Sequence, residues 1–150
     1  MAVVHRSSPS AEWFNRPVLH VSSVDASLRF YVDQLGFKVP WRVVDDEDGR
    51  ALVAEVDRQG CALILSEQWR EKAGTGLMFI SLNIEPPTHE AEIEAVDALR
   101  AELQGRGVSV KEGHWGYRVL VVEDPDGNQL FVPYPNEPGH IPAGLVRSQK

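Results

Sequence analysis

The feature that most constrains this chain is that its pattern of elements runs twice. Arg16–Val21 reads as a short strand, and Ser22 with Asp25 three residues on marks a helix start. That helix places Val24, Leu28, Tyr31 and Leu35 on one face and stops at Gly36. Three strands are predicted next: Lys38–Val44, Ala51–Val56 and Ala62–Ser66, the first two joined by the acidic turn Asp45–Gly49. The order then repeats. Leu77–Ile84 reads as a strand broken by Pro86–Pro87, and Thr88 caps a helix running to Arg106. Its inner face carries Ile93, Val96, Leu99 and Leu103, and Gly107 ends it as Gly36 ends the first. Strands Val108–Glu112, Tyr117–Val122 and Gln129–Pro133 follow, the last two joined through the turn sequence DPDGN.

Laid on each other, the halves pair Leu19-His20-Val21 with Leu82-Asn83-Ile84, and Gly36-Phe37-Lys38-Val39 with Gly107-Val108-Ser109-Val110. At the ends, Leu63-Ile64-Leu65 pairs with Gln129-Leu130-Phe131. The expected class is α+β, with tandem βαβββ modules forming a mixed, curved sheet around a cleft. Residues 15–134 are expected as one domain, with modules 15–68 and 76–134, residues 1–14 as an N-terminal arm and residues 135–150 as a C-terminal tail.

Composition narrows the function. A chain of 150 residues, 43% of them hydrophobic, can bury a core without disulfides or metal. Cys61 is the only cysteine, so no intramolecular disulfide can form and a reducing compartment is expected. No apolar run approaches the roughly 20 residues of a membrane span, and the N-terminal stretch lacks the pattern of a secretory signal. A cytoplasmic protein with no membrane partner is expected. The net charge is −7 without a basic stripe, which argues against a nucleic-acid partner. An acidic surface favours cationic ligands through its long-range field, or serves solubility alone.

The stretch PVLHVSSVDASLRFYVDQLGF resembles the opening module of the vicinal oxygen chelate superfamily, which includes glyoxalases, extradiol dioxygenases and antibiotic-resistance proteins. VEDPDGNQLFVPYP is similar to its closing module, and the resemblance covers residues 14–134. Within the superfamily, HWGYRVLVVEDPDGNQLFV most resembles the bleomycin resistance proteins, in which a Trp-Gly pair similarly precedes the penultimate strand. The resemblance implies the glyoxalase/bleomycin resistance fold, with metal ligands of the enzymes on the first and fourth strands of each module. Carried over, those places fall on Arg16, Leu65, Phe79 and Phe131. None can ligate a divalent metal, which needs imidazole, thiolate or carboxylate donors. No metal, no cofactor and no catalytic residue are therefore expected, and an apolar, aromatic cleft floor takes their place. The resistance proteins are similarly metal-free homodimers that sequester a drug in clefts between subunits.

Single residues carry competing readings. His20 shares the face of Arg16, where it is a metal ligand, a ligand-contacting or proton-transferring group, or a structural histidine. Arg16 needs a partner, supplied by an anionic group of the ligand or by Glu55. Trp115 either stacks on a planar ligand or packs at a dimer seam, and Trp13, Phe14, Trp41 and Trp69 extend the same choice. Asp46, Asp48, Gly49 and Glu55 have partial calcium-loop spacing, but Val44 holds the first place and no helix flanks the run, so a hairpin tip explains it better. The expected function is binding of a small organic molecule, cationic or glycopeptide-like. Leu65, Phe79, Trp115 and Phe131 are its expected apolar contacts, with Arg16 and His20 as polar discriminators. The rival is a lyase-, isomerase- or dioxygenase-like enzyme of the same superfamily, using a metal shifted to His20 or acid–base chemistry by His20 and Glu55. A ligand-free interaction module with a plugged cleft is the third class.

Overall fold

Both helices start on a side-chain cap. In the computed structural model, which describes residues 9–136, the Ser23 hydroxyl accepts from the Ala26 N–H at 3.2 Å and the Thr88 hydroxyl accepts from the Ala91 N–H at 3.2 Å. The first cap is thus Ser23 and not Ser22, and Asp25 instead accepts from the Ala51 N–H at 3.2 Å. Both helices end before a glycine in the left-handed region, Gly36 at φ 75° and Gly107 at φ 81°. These two stops are where the repeat expected them.

The elements are β1 (Val18–His20), α1 (Val24–Leu28), β2 (Lys38–Val44), β3 (Ala51–Arg58) and β4 (Cys61–Ser66), then β5 (Leu77–Phe79), α2 (His89–Gly105), β6 (Val110–His114), β7 (Arg118–Glu123) and β8 (Gln129–Pro133). They form two four-stranded sheets, ordered β1-β4-β3-β2 and β5-β8-β7-β6. In each, one parallel pair joins an antiparallel meander. This is the α+β, mixed-sheet architecture that the sequence predicts.

Three elements differ from expectation for local reasons. The α1 helix continues as a π-helix over Arg29–Gln34, whose wider turn buries the consecutive residues Phe30 and Tyr31. Strand β5 ends at Phe79 and does not reach Ile84. Its ladder stops where the Ile80 N–H meets the Phe131 carbonyl, because the next donor would come from residue 133, a proline. Strand β6 starts at Val110, not Val108, because the Val108 N–H closes the end of α2 on the Leu103 carbonyl at 2.9 Å.

The repeat is real but its register differs. Val18, Leu19 and His20 pair with Ile64, Leu65 and Ser66, and Leu77, Met78 and Phe79 pair with Gln129, Leu130 and Phe131 in the same parallel arrangement. The counterpart of β1 is therefore Leu77–Phe79, not Leu82–Ile84, and the ends of β4 and β8 match one residue later than expected. Leu19, Leu63 and Leu65 point to the helix side and join Val24, Tyr31 and Leu35 in the core. Met78, Leu130 and Val122 extend this core into the second half with Leu103 and Val108. Each leucine so buried contributes about 1.5–3 kcal/mol. Most of the expected arm and tail lies outside the described residues, but Trp13 and Phe14 are described and exposed.

Candidate functional site

Strand alternation leaves one face of each sheet away from the helices. On the first sheet this face carries Val18 and His20 of β1, Ile64 and Ser66 of β4, Val53 and Glu55 of β3, and Trp41 and Val43 of β2. On the second it carries Leu77 and Phe79 of β5, Gln129 and Phe131 of β8, Val119 and Val121 of β7, and Gly113 of β6.

The face on the second sheet is aromatic. The Phe79 ring lies 5.6 Å from the Trp115 ring and 6.3 Å from the Tyr117 ring, and the Trp115 ring lies 5.9 Å from the Phe131 ring. The ring pairs are tilted or edge-on, the geometry that aromatic quadrupoles favour. Trp115 is nonetheless 53% exposed, so about half of the residue stays open to a ligand. Gly113 fits close packing here, since a Cβ at that position would come within 2.9 Å of the Val121 Cγ2. Phe79, Trp115 and Phe131, three of the residues expected in the site, are thus brought together. Tyr117 joins them and was missed; its place one residue beyond Trp115-Gly116 was the available signal.

The face on the first sheet is more polar. Arg16 Nε stands 2.5 Å from Glu55 Oε1, and the Arg16 guanidinium lies 4.7 Å from the centre of the Phe14 ring. Glu55 Oε1 makes no hydrogen bond of acceptable angle, so the contact is an ion pair held by charge. The His20 ring packs edge-on against Trp69 at 5.7 Å, and its Nδ1 is buried without a hydrogen-bond partner among the described residues. Arg16 and His20 lie on one face, as the alternation predicts, and Glu55 takes the role of Arg16's partner.

Two site expectations are corrected. Leu65 is 0% exposed and faces the helices, paired with Leu19. The position matching Phe131 is Ser66, buried and accepting from the Gln68 N–H at 3.3 Å. The position matching Phe79 is His20, not Arg16. The four symmetry-related places are therefore His20, Ser66, Phe79 and Phe131: one imidazole, one hydroxyl and two phenyl rings. Among the described residues no group of three or more His, Cys, Asp or Glu side chains is placed to hold a metal ion. The acidic run behaves as a hairpin tip: Asp45 Oδ1 accepts from the Glu47 and Asp48 N–H groups, and these bonds hold its carboxyl below the usual range. His114 pairs with Arg118 across β6 and β7 and points to the helix side, away from Trp115.

A cavity of about 320 Å³ lies elsewhere, between Phe30 and Gln34 on one side and Lys111, Val121 and Glu123 on the other. The aromatic face of the second sheet stays open among the described residues, with Phe79 40% and Trp115 53% exposed. No helix among the described residues is long and apolar enough to cross a membrane.

The Glyoxalase/Bleomycin resistance protein/Dioxygenase superfamily model matches residues 13–132. The fold is similar to that of a bleomycin-binding protein from bleomycin-producing Streptomyces verticillus, solved with copper(II)-bleomycin, at a TM-score of 0.59 and 24% identity, covering 85% of this chain and 100% of that one. TnmS3, an antibiotic binding protein from Streptomyces sp. CB03234, gives 0.57 and 21% over 85% and 100%. Lactoylglutathione lyase from Agrobacterium tumefaciens gives 0.57 and 17% over 85% and 95%. No curated protein matches the chain.

Proposed function

The chain belongs to the glyoxalase/bleomycin resistance protein/dioxygenase superfamily, and on that premise we propose that it binds a small organic molecule by affinity alone, without a metal. The observation that carries this reading is the aromatic cluster in which the exposed Phe79 and Trp115 pack with the half-buried Tyr117 and Phe131. Exposed rings of this size stack on planar ligands, and contiguous apolar surface left open on a soluble protein marks an interaction site. Solved structures of similar fold include two antibiotic-binding proteins, which favours the same use here. Leu65 takes no part; Arg16 and His20, with Ser66, supply polar contacts from the first sheet.

The metal-free part rests on donor chemistry. One imidazole and one serine hydroxyl at the four equivalent places fall short of the three protein ligands of a catalytic zinc site. The uncovered faces support a homodimer in which the first sheet of one copy roofs the second sheet of its partner, and the exposed Trp13 and Phe14 suit the seam. A cytoplasmic location belongs to the same reading.

An enzymatic reading has one observation in its favour: His20 carries an unpartnered buried nitrogen on the face that also holds Glu55. Three measurements decide. Tryptophan fluorescence titration with metal-free and copper-loaded bleomycin and with planar aromatic compounds should give saturable binding. Elemental analysis of the purified chain should find no stoichiometric zinc, nickel or iron; a full equivalent would overturn the metal-free reading. Sedimentation velocity should give twice the chain mass, and a monomer would remove the composite cleft.

A further inference from the structure

Three buried carboxylates among the described residues invite comparison: Glu55, Glu67 and Asp124. Glu67 accepts from Arg50 Nε at 2.8 Å and from the Val24 N–H at 3.2 Å, with Arg70 at 3.6 Å. Burial pushes its carboxyl up, yet these bonds and charges outweigh that and hold it below the usual range. Asp124 accepts from the Tyr31 hydroxyl, the Asn128 amide and the N–H groups of Asp126 and Asn128. Both are tied by backbone donors, as carboxylates with a structural role are. Glu55 is different. Its side chain is 9% exposed, yet its only partner among the described residues is Arg16.

That partner is poorly anchored. Arg16 is 41% exposed and lies just before β1, at the end of a run in which residues 9–18 are all exposed. Apart from Glu55, its guanidinium packs, among the described residues, on the Phe14 ring, which is itself exposed. A buried carboxylate that lacks hydrogen-bond donors is stabilised by a cation, but nothing here requires that the cation be this one. The surroundings suit an organic cation: Trp41 and Ile64 flank Glu55 in register, and aromatic faces attract cations. A net charge of −7 draws cations toward the chain.

We propose that Glu55 is the receptor for the cationic group of the ligand and that Arg16 is a resident counter-ion which the ligand displaces. The inference rests on the composite cleft proposed above, in which the first sheet of one copy faces the aromatic sheet of its partner, and it specifies the ligand class: a planar aromatic body carrying an ammonium, amidinium or guanidinium group. Arg16 then competes with the ligand, so removing it strengthens binding, the opposite of what a ligand-contacting arginine would give.

Three planar three-ring probes test this on the full chain by tryptophan quenching: proflavine (cationic), acridone (neutral) and anthracene-9-carboxylate (anionic). The wild type should bind proflavine about tenfold more tightly than acridone. Glu55→Gln should erase that preference by lowering proflavine affinity to the level of acridone, and Glu55→Asp should keep most of it. Arg16→Gln, which retains a donor for Glu55, should tighten proflavine binding by about threefold or more. Circular dichroism verifies folding of each variant, and the charge-conserving Glu55→Asp serves should Glu55→Gln unfold. Equal affinity for proflavine and acridone overturns the inference while leaving the aromatic site intact. Weaker proflavine binding in Arg16→Gln, or a preference for the anion that this variant loses, overturns it in favour of Arg16 as an anion receptor. Failure of all three probes to bind removes the site itself and this inference with it.

Discussion

Asn128 is the side chain on which the joining of the two halves depends most. It is 0% exposed, and its Oδ1 accepts from the Gly76 N–H at 2.8 Å, just ahead of β5. Its Nδ2 donates to the His20 carbonyl at 3.0 Å, at the end of β1, and to Asp124 Oδ2 at 2.9 Å. One amide thus ties both parallel edge strands to the β7–β8 loop. In Asn128→Ala the His20 carbonyl keeps the Gly74 N–H at 3.3 Å and Asp124 keeps Tyr31, so the orphaned group is the Gly76 N–H. One stranded donor at about 1–3 kcal/mol, plus two bonds lost with partial compensation, gives an expected loss of about 2–4 kcal/mol. Asn128→Asp has nearly the same shape but turns an oxygen toward the His20 carbonyl and Asp124. It should be less stable than Asn128→Ala at pH 7.5 and recover as its carboxyl protonates on acidification. Urea unfolding followed by tryptophan fluorescence measures both, with the slope m expected to stay unchanged. An alanine variant within about 0.5 kcal/mol of wild type, the range of ordinary surface substitutions, would refute this account. So would an aspartate variant more stable than the alanine one.

Other outcomes follow from single contacts. Trp115→Ala should weaken ligand binding by about tenfold or more while leaving the melting temperature within a few degrees, because the indole is half exposed. Equal affinity in a titration would remove Trp115 from the site. Tyr31→Phe should cost about 1.5–3 kcal/mol in urea unfolding, since its hydroxyl donates to the buried Asp124 at 3.0 Å. Burial, then the Asp124 charge, push that hydroxyl well above the ordinary tyrosine range, so no tyrosinate absorbance from Tyr31 should develop before alkaline unfolding. Glu102 is held below the ordinary glutamate range by its two bonds from Arg58, at 2.8 and 2.9 Å, which outweigh burial. A lowered folded value means stability present above the ordinary value of about 4.3 and lost as the pH falls from there through the lowered folded value. The stability gap between wild type and Arg58→Gln should therefore narrow as the pH falls through the lowered folded value, leaving the share of the Arg58 bond to the Leu35 carbonyl at 2.9 Å; a constant gap would show that the bridge does not titrate with folding.

How much could be read in advance varied by element. The stops of both helices and the cap of the second were legible because they depend on a few adjacent residues: Thr88, Gly36 and Gly107 act within one turn of themselves. The π-helix at Arg29–Gln34 was not, since no local preference favours it; two consecutive aromatic side chains are buried there, one bonded to a loop 93 positions away. The face of Leu65 was not legible either. Leu63, Ile64 and Leu65 are all apolar, so alternation has no phase in that strand, and a shift of one residue moves every side chain to the other face.

The sequence by itself determined the class of fold, the duplicated order of elements and the aromatic character of the second sheet's open face. These follow from periodicity, turn chemistry and residue type, which are local properties of the chain. Only the tertiary structure decided that Ser66 and His20, not Leu65 and Arg16, hold the places equivalent to Phe131 and Phe79, and that Glu55 is buried with Arg16 as its one partner among the described residues. Register between strands and the partners of a buried charge are set by contacts between segments far apart in sequence. No reading of neighbouring residues contains them.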